Sequence, residues 1–225
     1  MQKETLKESQ LPGYSRGEEI FNMVSHIAGG AFAISVLVLC VIFAALDKNV
    51  YGVISSAIYG AAMIILYAMS SIYHGLIPIK PKKVFRVIDH CAVYFLIAGT
   101  YTPIALAALR PKSPVLGWLL FGIVWSLCAL GVVFTAIDLN KYKVFSMICY
   151  IGMGWSIIFM VYPVIKLEAL SVPAFLWLLG GGISYTVGSV IYGLGKKHKF
   201  MHSVFHLFVL LGSVLQFICI LFYVL

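Results

Sequence analysis

Charge is what this sequence has least of. Of its 225 residues only eight are acidic and 11% are charged, whereas 62% are hydrophobic and the mean hydropathy is +1.01. A soluble domain carries roughly 25% charged residues, so the deficit excludes a water-facing globular surface and points to an integral membrane protein. Segments of about 10 residues alternating in polarity, the mark of a transmembrane β-barrel, are also lacking, so the spans are helical. The N-terminus lacks the apolar core of a signal peptide. Residues 1–19, "MQKETLKESQLPGYSRGEE", are polar and of mixed charge and read as a short tail. The five cysteines, Cys40, Cys91, Cys128, Cys149 and Cys219, all fall inside apolar runs without metal or redox spacing. They read as small core residues rather than disulfide partners.

What is present is a series of apolar runs at about 20–46, 50–74, 84–109, 115–137, 143–165, 172–194 and 200–225. A run of about 20 apolar residues crosses a bilayer core, which predicts seven spans with the termini on opposite sides. On the N-terminal side lie Lys3, Lys7, Arg16, Lys80, Lys82, Lys83, Arg86, Lys141, Lys143, Lys196, Lys197 and Lys199, twelve in all. The other side has four: Lys48, Arg110, Lys112 and Lys166. Cytoplasmic loops carry the Lys/Arg excess, which predicts a cytoplasmic N-terminus and an extracytoplasmic C-terminus. The expected fold is therefore an all-α seven-helix bundle in the cell membrane, with a cytoplasmic tail over 1–19 and a transmembrane domain over 20–225. The net charge of +8 does not imply nucleic acid, because the cations sit in short loops where they set orientation. Short connections predict antiparallel neighbours. Pro103, Pro163 and Pro173 are expected to kink or cap helices, and Gly180, Gly181 and Gly182 to allow close packing.

The membrane-embedded polar residues are not spread evenly. "EEIFNMVSH" places Glu19, Asn22 and His26 at the start of span 1. "SSIYH" puts Ser70 and His74 at the end of span 2, Asp89 and His90 open span 3, and His202 and His206 open span 7. At about 1.5 Å rise per residue these all lie within roughly 10 Å of one bilayer face, while spans 4 to 6 hold no histidine or acidic residue in their cores. Residues i and i+4 share a helix face, so His202 pairs with His206, Ser70 with His74 and Asn22 with His26. Asp89 and His90 are adjacent, about 100° apart on a helix, and are not expected to face the same centre. Two histidines at i, i+4 plus a third imidazole form a ligand set suited to zinc with an open position. On spacing alone the third nitrogen is open among His74, His26 and His90. Each residue also has a plainer reading. His202 and His206 can meet headgroups, His74 can cap a helix, Asp89 can offset Arg86, Ser70 can bond within the bundle, and Glu18 and Glu19 can serve the helix dipole.

With these residues in hand, the sequence resembles the haemolysin III branch of the progestin and adipoQ receptor family. The resemblance rests on "EEIFNMVSHIAG" at 18–29, "SSIYHG" at 70–75, "DHCAVYFLIAGTYTP" at 89–103 and "HSVFHLF" at 202–208. It implies a seven-helix bundle with zinc near the cytoplasmic side, held by His74, His202 and His206. It further implies that Asp89 holds or approaches a water on that metal, with Ser70 near the same water. Asn22, His26, His90 and Glu19 remain as supporting or substrate-side residues. Grouping with alkaline ceramidases implies hydrolysis of a lipid amide or ester, with a membrane lipid as substrate. Two other function classes stand beside this one: a non-enzymatic regulator of membrane-lipid homeostasis with structural zinc, and a pore-forming cytolysin. A pore would favour polar residues along several spans, and spans 4 to 6 are nearly uncharged.

Overall fold

A computed structural model describes residues 11–195 and 198–225. Residues 1–10 of the expected tail, and Lys196 and Lys197 of the basic loop, lie outside the described residues. Among the described residues seven helices are long and apolar enough to cross a membrane: α1 Arg16–Leu46, α2 Val50–Gly75, α3 Ile79–Lys112, α4 Pro114–Ile137, α5 Lys143–Lys166, α6 Val172–Leu194 and α7 Met201–Tyr223. Among the described residues there is no strand. Large apolar side chains such as Ile27, Ile34, Val38, Leu130, Val133 and Leu211 are exposed on the outer faces of these helices. That surface suits hydrocarbon and would be a liability in water.

Local chemistry explains the boundaries. Ser15 caps α1 in a reciprocal box: its Oγ accepts the Glu18 N–H, and the Glu18 carboxylate accepts the Ser15 N–H at 2.8 Å. The helix therefore starts at Arg16, inside the stretch read as tail, because the cap lies before the apolar run that marked the boundary at 20. Likewise α3 begins at Ile79 rather than 84, since its first turn, rich in lysine, is helical yet polar. Asn49 caps α2 by accepting the Gly52 N–H at 2.8 Å. After Pro103 the α3 ladder widens into a π-helical stretch, Ile104–Leu109, as expected where proline disturbs a helix.

The run read as one continuous span over 143–165 is interrupted. α5 stops at Gly154 and passes through a tighter 3-10 stretch, Ser156–Met160, before resuming at Val161. Backbone groups freed inside a membrane must find partners in the protein. The Tyr101 hydroxyl from α3 supplies them, donating to the Gly154 carbonyl at 2.7 Å and accepting the Ile157 N–H at 3.2 Å.

α3 is the most enclosed span, with 83% of its apolar window buried, against 17% for α5. One apolar core joins α3, α4, α5 and α6 through Ile104, Leu109, Leu120, Val124, Met153 and Leu178. A second joins α1, α2, α3 and α7 through Val36, Met63, Tyr67, Leu96, Val209 and Ile220. The Ser213 hydroxyl of α7 accepts from Tyr67 of α2 at 2.8 Å and lies 2.9 Å from the hydroxyl of Tyr185 on α6. This tie fixes three helices together beneath the polar end of the bundle.

Candidate metal centre

The last turn of α2 and the first turns of α7 bring three imidazoles to one point. His74 Nε2 lies 3.2 Å from His202 Nε2, which lies 3.0 Å from His206 Nε2. One nitrogen of each comes within 4.8 Å of the others, and His74 and His206 are buried. Four nitrogens held tetrahedrally at about 2.0–2.1 Å around zinc would be about 3.3 Å apart, close to these separations.

The outer ring nitrogens show which lone pairs point inward. His74 Nδ1 is 2.6 Å from the Glu19 carboxylate, which can only accept, so the proton sits on Nδ1 and Nε2 keeps its lone pair. Lys82 holds the other Glu19 oxygen at 2.8 Å. His206 Nδ1 is 3.4 Å from Ser25 Oγ, whose own hydrogen goes to the Asn22 carbonyl at 3.0 Å. The serine oxygen is therefore free to accept the His206 Nδ1–H, again leaving Nε2 bare. The His74 and His206 lone pairs thus point at His202 Nε2, and His202 Nδ1 has no hydrogen-bond partner among the described residues; a cation among the three Nε2 atoms would be met by all of them. The donor set fits zinc, and a carboxylate behind one ligand histidine is the usual outer support of such a site.

Further contacts brace the centre from α1. The Ser203 hydroxyl donates to Asn22 Oδ1 at 2.7 Å, tying α1 to the residue beside His202. Glu18 accepts the Phe200 N–H at 2.7 Å, where Phe200 holds a left-handed φ of 62° just before α7. That conformation is unfavourable for a bulky residue, and the bond to α1 helps keep it. His26 lies flat on His206, with ring centres 3.7 Å apart at 11°. It does not join the ligand triad, and neither of its ring nitrogens has a hydrogen-bond partner among the described residues. Tyr14, just before α1, stacks on His202 at 4.9 Å and 16°, and Tyr192 of α6 covers the same ring at 5.0 Å. Burial, and then the neighbouring Tyr192, push the Tyr14 hydroxyl above the usual phenol range, so it sits there as a neutral phenol.

Beside the triad a cavity of roughly 210 Å³ is lined mainly by α3, α5, α6 and α7, with His26 of α1 and Leu66 and Ser70 of α2 at its wall. His26, Ser70, Asp89, His202 and His206 line it at the histidine end, and Leu96, Ile97, Val209 and Gln216 continue it along the bundle. Met147 and Ile151 of α5 line it as well, and both are about 40% exposed. Asp89 and His90 both line it, because a cavity that wraps around α3 takes in more than one face of that helix. His90 Nδ1 lies 2.8 Å from the Arg86 carbonyl and 3.7 Å from the Asp89 carboxylate, and His90 is not among the converging nitrogens.

The structure therefore brings His74, His202 and His206 together, sets Asp89, Ser70, His26 and His90 along the adjoining cavity, and places Glu19 and Asn22 as supports. Sequence reasoning missed Tyr14, Ser25, Lys82, Tyr192 and Ser203. Of these, Ser25 and Ser203 neighbour flagged residues and were open to a search for hydroxyls beside histidines. Tyr14 falls in the polar tail, where helical spacing carries no signal.

Known proteins resemble this chain over most of its length. The family model described as haemolysin-III related matches residues 14–217. The chain is 40% identical over 208 residues to Hemolysin-3 of Bacillus cereus, covering 92% of each chain. It is 40% identical over 206 residues to the Hemolysin-3 homolog of Bacillus subtilis (strain 168), covering 92% of this chain and 94% of that one. Human monocyte to macrophage differentiation factor is 27% identical over 183 residues, 78% of this chain and 72% of its own.

Proposed function

The chain belongs to the haemolysin-III related family of multi-pass membrane proteins, and from that premise we propose that it is a zinc-dependent hydrolase of lipid amide or ester bonds, working near the cytoplasmic face. The observation that carries this reading is the opening of a three-histidine cluster onto a largely apolar cavity that also contains Asp89 and Ser70. The Lys/Arg excess at the same end of the bundle supports the orientation.

His74, His202 and His206 would hold the metal. Bound zinc supplies Lewis acidity, lowering the pKa of water towards about 7 and polarising a carbonyl. Glu19 holds His74 in the productive tautomer, and Ser25 does the same for His206. The Asp89 carboxylate accepts a proton from the attacking water and returns it to the departing amine or alcohol, so that water and an amide or ester become acid and amine or alcohol. The Ser70 hydroxyl donates to the oxyanion formed at the carbonyl. Leu96, Ile97 and Val209 hold the lipid chain and keep bulk water away, while Tyr192 covers His202 at the cavity wall and Tyr14 stacks on the same ring.

The test is purified protein with measured zinc content, incubated with a panel of lipid amides and esters and followed by mass spectrometry. Cleavage that disappears in Asp89→Asn with zinc retained supports the reading. Full zinc occupancy without any cleavage overturns it and leaves zinc as a structural link between α2 and α7. Reproducible single-channel conductance in planar bilayers would favour a pore instead.

A further inference from the structure

We propose that the far end of the cavity is a second polar subsite, built around Gln216, for a hydroxyl carried well down the chain of the lipid that enters. The inference rests on the hydrolase reading for which end of the lipid meets the metal centre, and it narrows the class of chain that follows.

Gln216 stands where an amide is costly. His206 and Gln216 both lie on α7 and both line the cavity. At about 1.5 Å per residue the glutamine is roughly 15 Å farther along the helix than the histidine, and about two turns from the nearer helix end. It is therefore well inside the hydrocarbon. The residue is only 8% exposed, and its side chain has no hydrogen-bond partner among the described residues. A side-chain amide carries two donor hydrogens and a carbonyl acceptor. Leaving them unmet away from water is unfavourable, and polar groups at such depth commonly mark the path of a substrate.

The floor around the amide has its own hydrogens already placed. Thr100 donates to the Leu96 carbonyl at 2.8 Å, and Tyr101 donates to the Gly154 carbonyl at 2.7 Å. The Trp155 indole donates to Thr186 Oγ1 at 3.0 Å, and Thr186 donates to the Gly182 carbonyl at 2.8 Å. All of these except Leu96 belong, with Leu96 itself, to the cavity lining. On its other side the stem of Gln216 lies on α6, where a Cβ at Gly181 would come 2.5 Å from Gln216 Cγ. That close seat limits where the amide can turn.

Between the histidines and this floor the wall is apolar, with Val93, Leu96, Ile97 and Val209. The chamber is thus polar at both ends and apolar between them, which suits a hydrocarbon chain with a polar group far from its head. Three bonds of an extended chain span at most about 3.6 Å, so roughly 15 Å corresponds to about twelve bonds from the carbonyl at the metal. A hydroxyl there both donates and accepts and so meets the amide, whereas a methyl group does neither. The plainer role for Gln216 is to hold a water on the cavity floor, which would leave chains with and without the hydroxyl undistinguished.

The experiment uses the full chain, with measured zinc content, in phosphatidylcholine nanodiscs. The probes are carboxylic acids of the class that the proposed reaction releases and does not cleave: 12-hydroxydodecanoate, its isomer 6-hydroxydodecanoate, and tridecanoate, which has a methyl in place of the terminal hydroxyl. Binding is read by native mass spectrometry and by protection against thermal unfolding. The expected result is 12-hydroxydodecanoate binding at least about tenfold tighter than its isomer, a difference of about 1.4 kcal/mol. Gln216→Met keeps the length of the side chain without its hydrogen bonds; it should abolish that preference and leave tridecanoate bound as tightly as before. Gln216→Asn, shorter by one methylene, should move the preference to 13-hydroxytridecanoate.

Equal binding of the two isomers by the unmodified chain overturns the proposal whether or not the variants fold, as does failure of all three acids to bind. A preference retained in Gln216→Met, or left unshifted in Gln216→Asn, overturns the assignment to Gln216. Tridecanoate weakened in Gln216→Met as much as the hydroxy acid also overturns it, by making Gln216 a packing residue. Because no probe is turned over, failure here is distinct from failure of the hydrolase reading, which only the cleavage panel decides.

Discussion

The Glu19 carboxylate lies 2.6 Å from Nδ1 of His74, joining the first turn of α1 to the last turn of α2. Its second oxygen is held by Lys82 at 2.8 Å, so the acceptor is fixed in place and the inward lone pair of His74 is fixed with it. Glu19→Gln can present its amide oxygen to the same proton but loses the charge. Removal of such an outer carboxylate lowers metal affinity by about 10–100-fold. Competition for zinc with a chromophoric chelator should show a loss in that range, with helix content by circular dichroism unchanged. Zinc affinity equal to that of the unmodified protein would remove Glu19 from the metal centre.

Four histidines, His26, His74, His202 and His206, pack against one another at this end of the bundle, and metal analysis should separate them. His74→Ala, His202→Ala and His206→Ala should each lose stoichiometric zinc, because each removes one of the three protein ligands that a zinc site with a single open position uses. His26→Ala should retain it, since His26 stacks on His206 at 3.7 Å without presenting a nitrogen to the triad. Zinc lost in His26→Ala while retained in His74→Ala would reverse the assignment.

Gly212 of α7 is buried beneath the centre, and a Cβ placed there would lie 2.8 Å from the ring of Tyr185. Tyr185 cannot swing away cheaply, because its hydroxyl is engaged with Ser213 at 2.9 Å. Gly212→Leu should therefore separate α6 from α7 and destabilise the bundle by about 1–3 kcal/mol, as overpacking generally does. Gly122→Ala has open space around it and should be neutral or slightly stabilising through helix propensity. Thermal unfolding in one detergent compares the two; equal midpoints would show that the α6–α7 contact is looser than the structure has it.

Much of this architecture was legible in the residues, and the parts that were not share a cause. Hydropathy locates hydrocarbon-crossing stretches, so all seven spans were found, while the helical turns before 20 and 84 were not, because they lie outside the apolar runs. The break in α5 was invisible because Ser156–Met160 reads as apolar as its flanks; what permits it is Tyr101, distant in sequence. At the site, i, i+4 spacing paired His202 with His206, and depth brought His74, Asp89 and Ser70 to the same level. Spacing alone could not choose among His74, His26 and His90, since helix rotation decides which ring turns inward. The same rotation put His26 flat against His206 and let the cavity reach both Asp89 and His90. Glu19 and Glu18 look alike as first-turn acids, yet one supports His74 and the other holds the turn before α7.

Tyr14 offers the last and most local test. It stacks on His202 at 4.9 Å and approaches His74 at 5.9 Å, and Glu18 and Ser15 cap the helix that follows it. Its hydroxyl is held neutral by burial, so the ring acts as a cover and not as a ligand. Tyr14→Ala should leave zinc stoichiometry intact at equilibrium but let a chelator in the aqueous phase strip the metal several-fold faster, roughly the effect of losing an aromatic contact of about 1 kcal/mol. Tyr14→Phe keeps the stacked ring and should lose zinc at the original rate. Stopped-flow chelation measures both. If alanine and phenylalanine behave alike and match the unmodified chain, the segment before α1 does not guard the centre. If phenylalanine is as fast as alanine, the hydroxyl rather than the ring does the guarding.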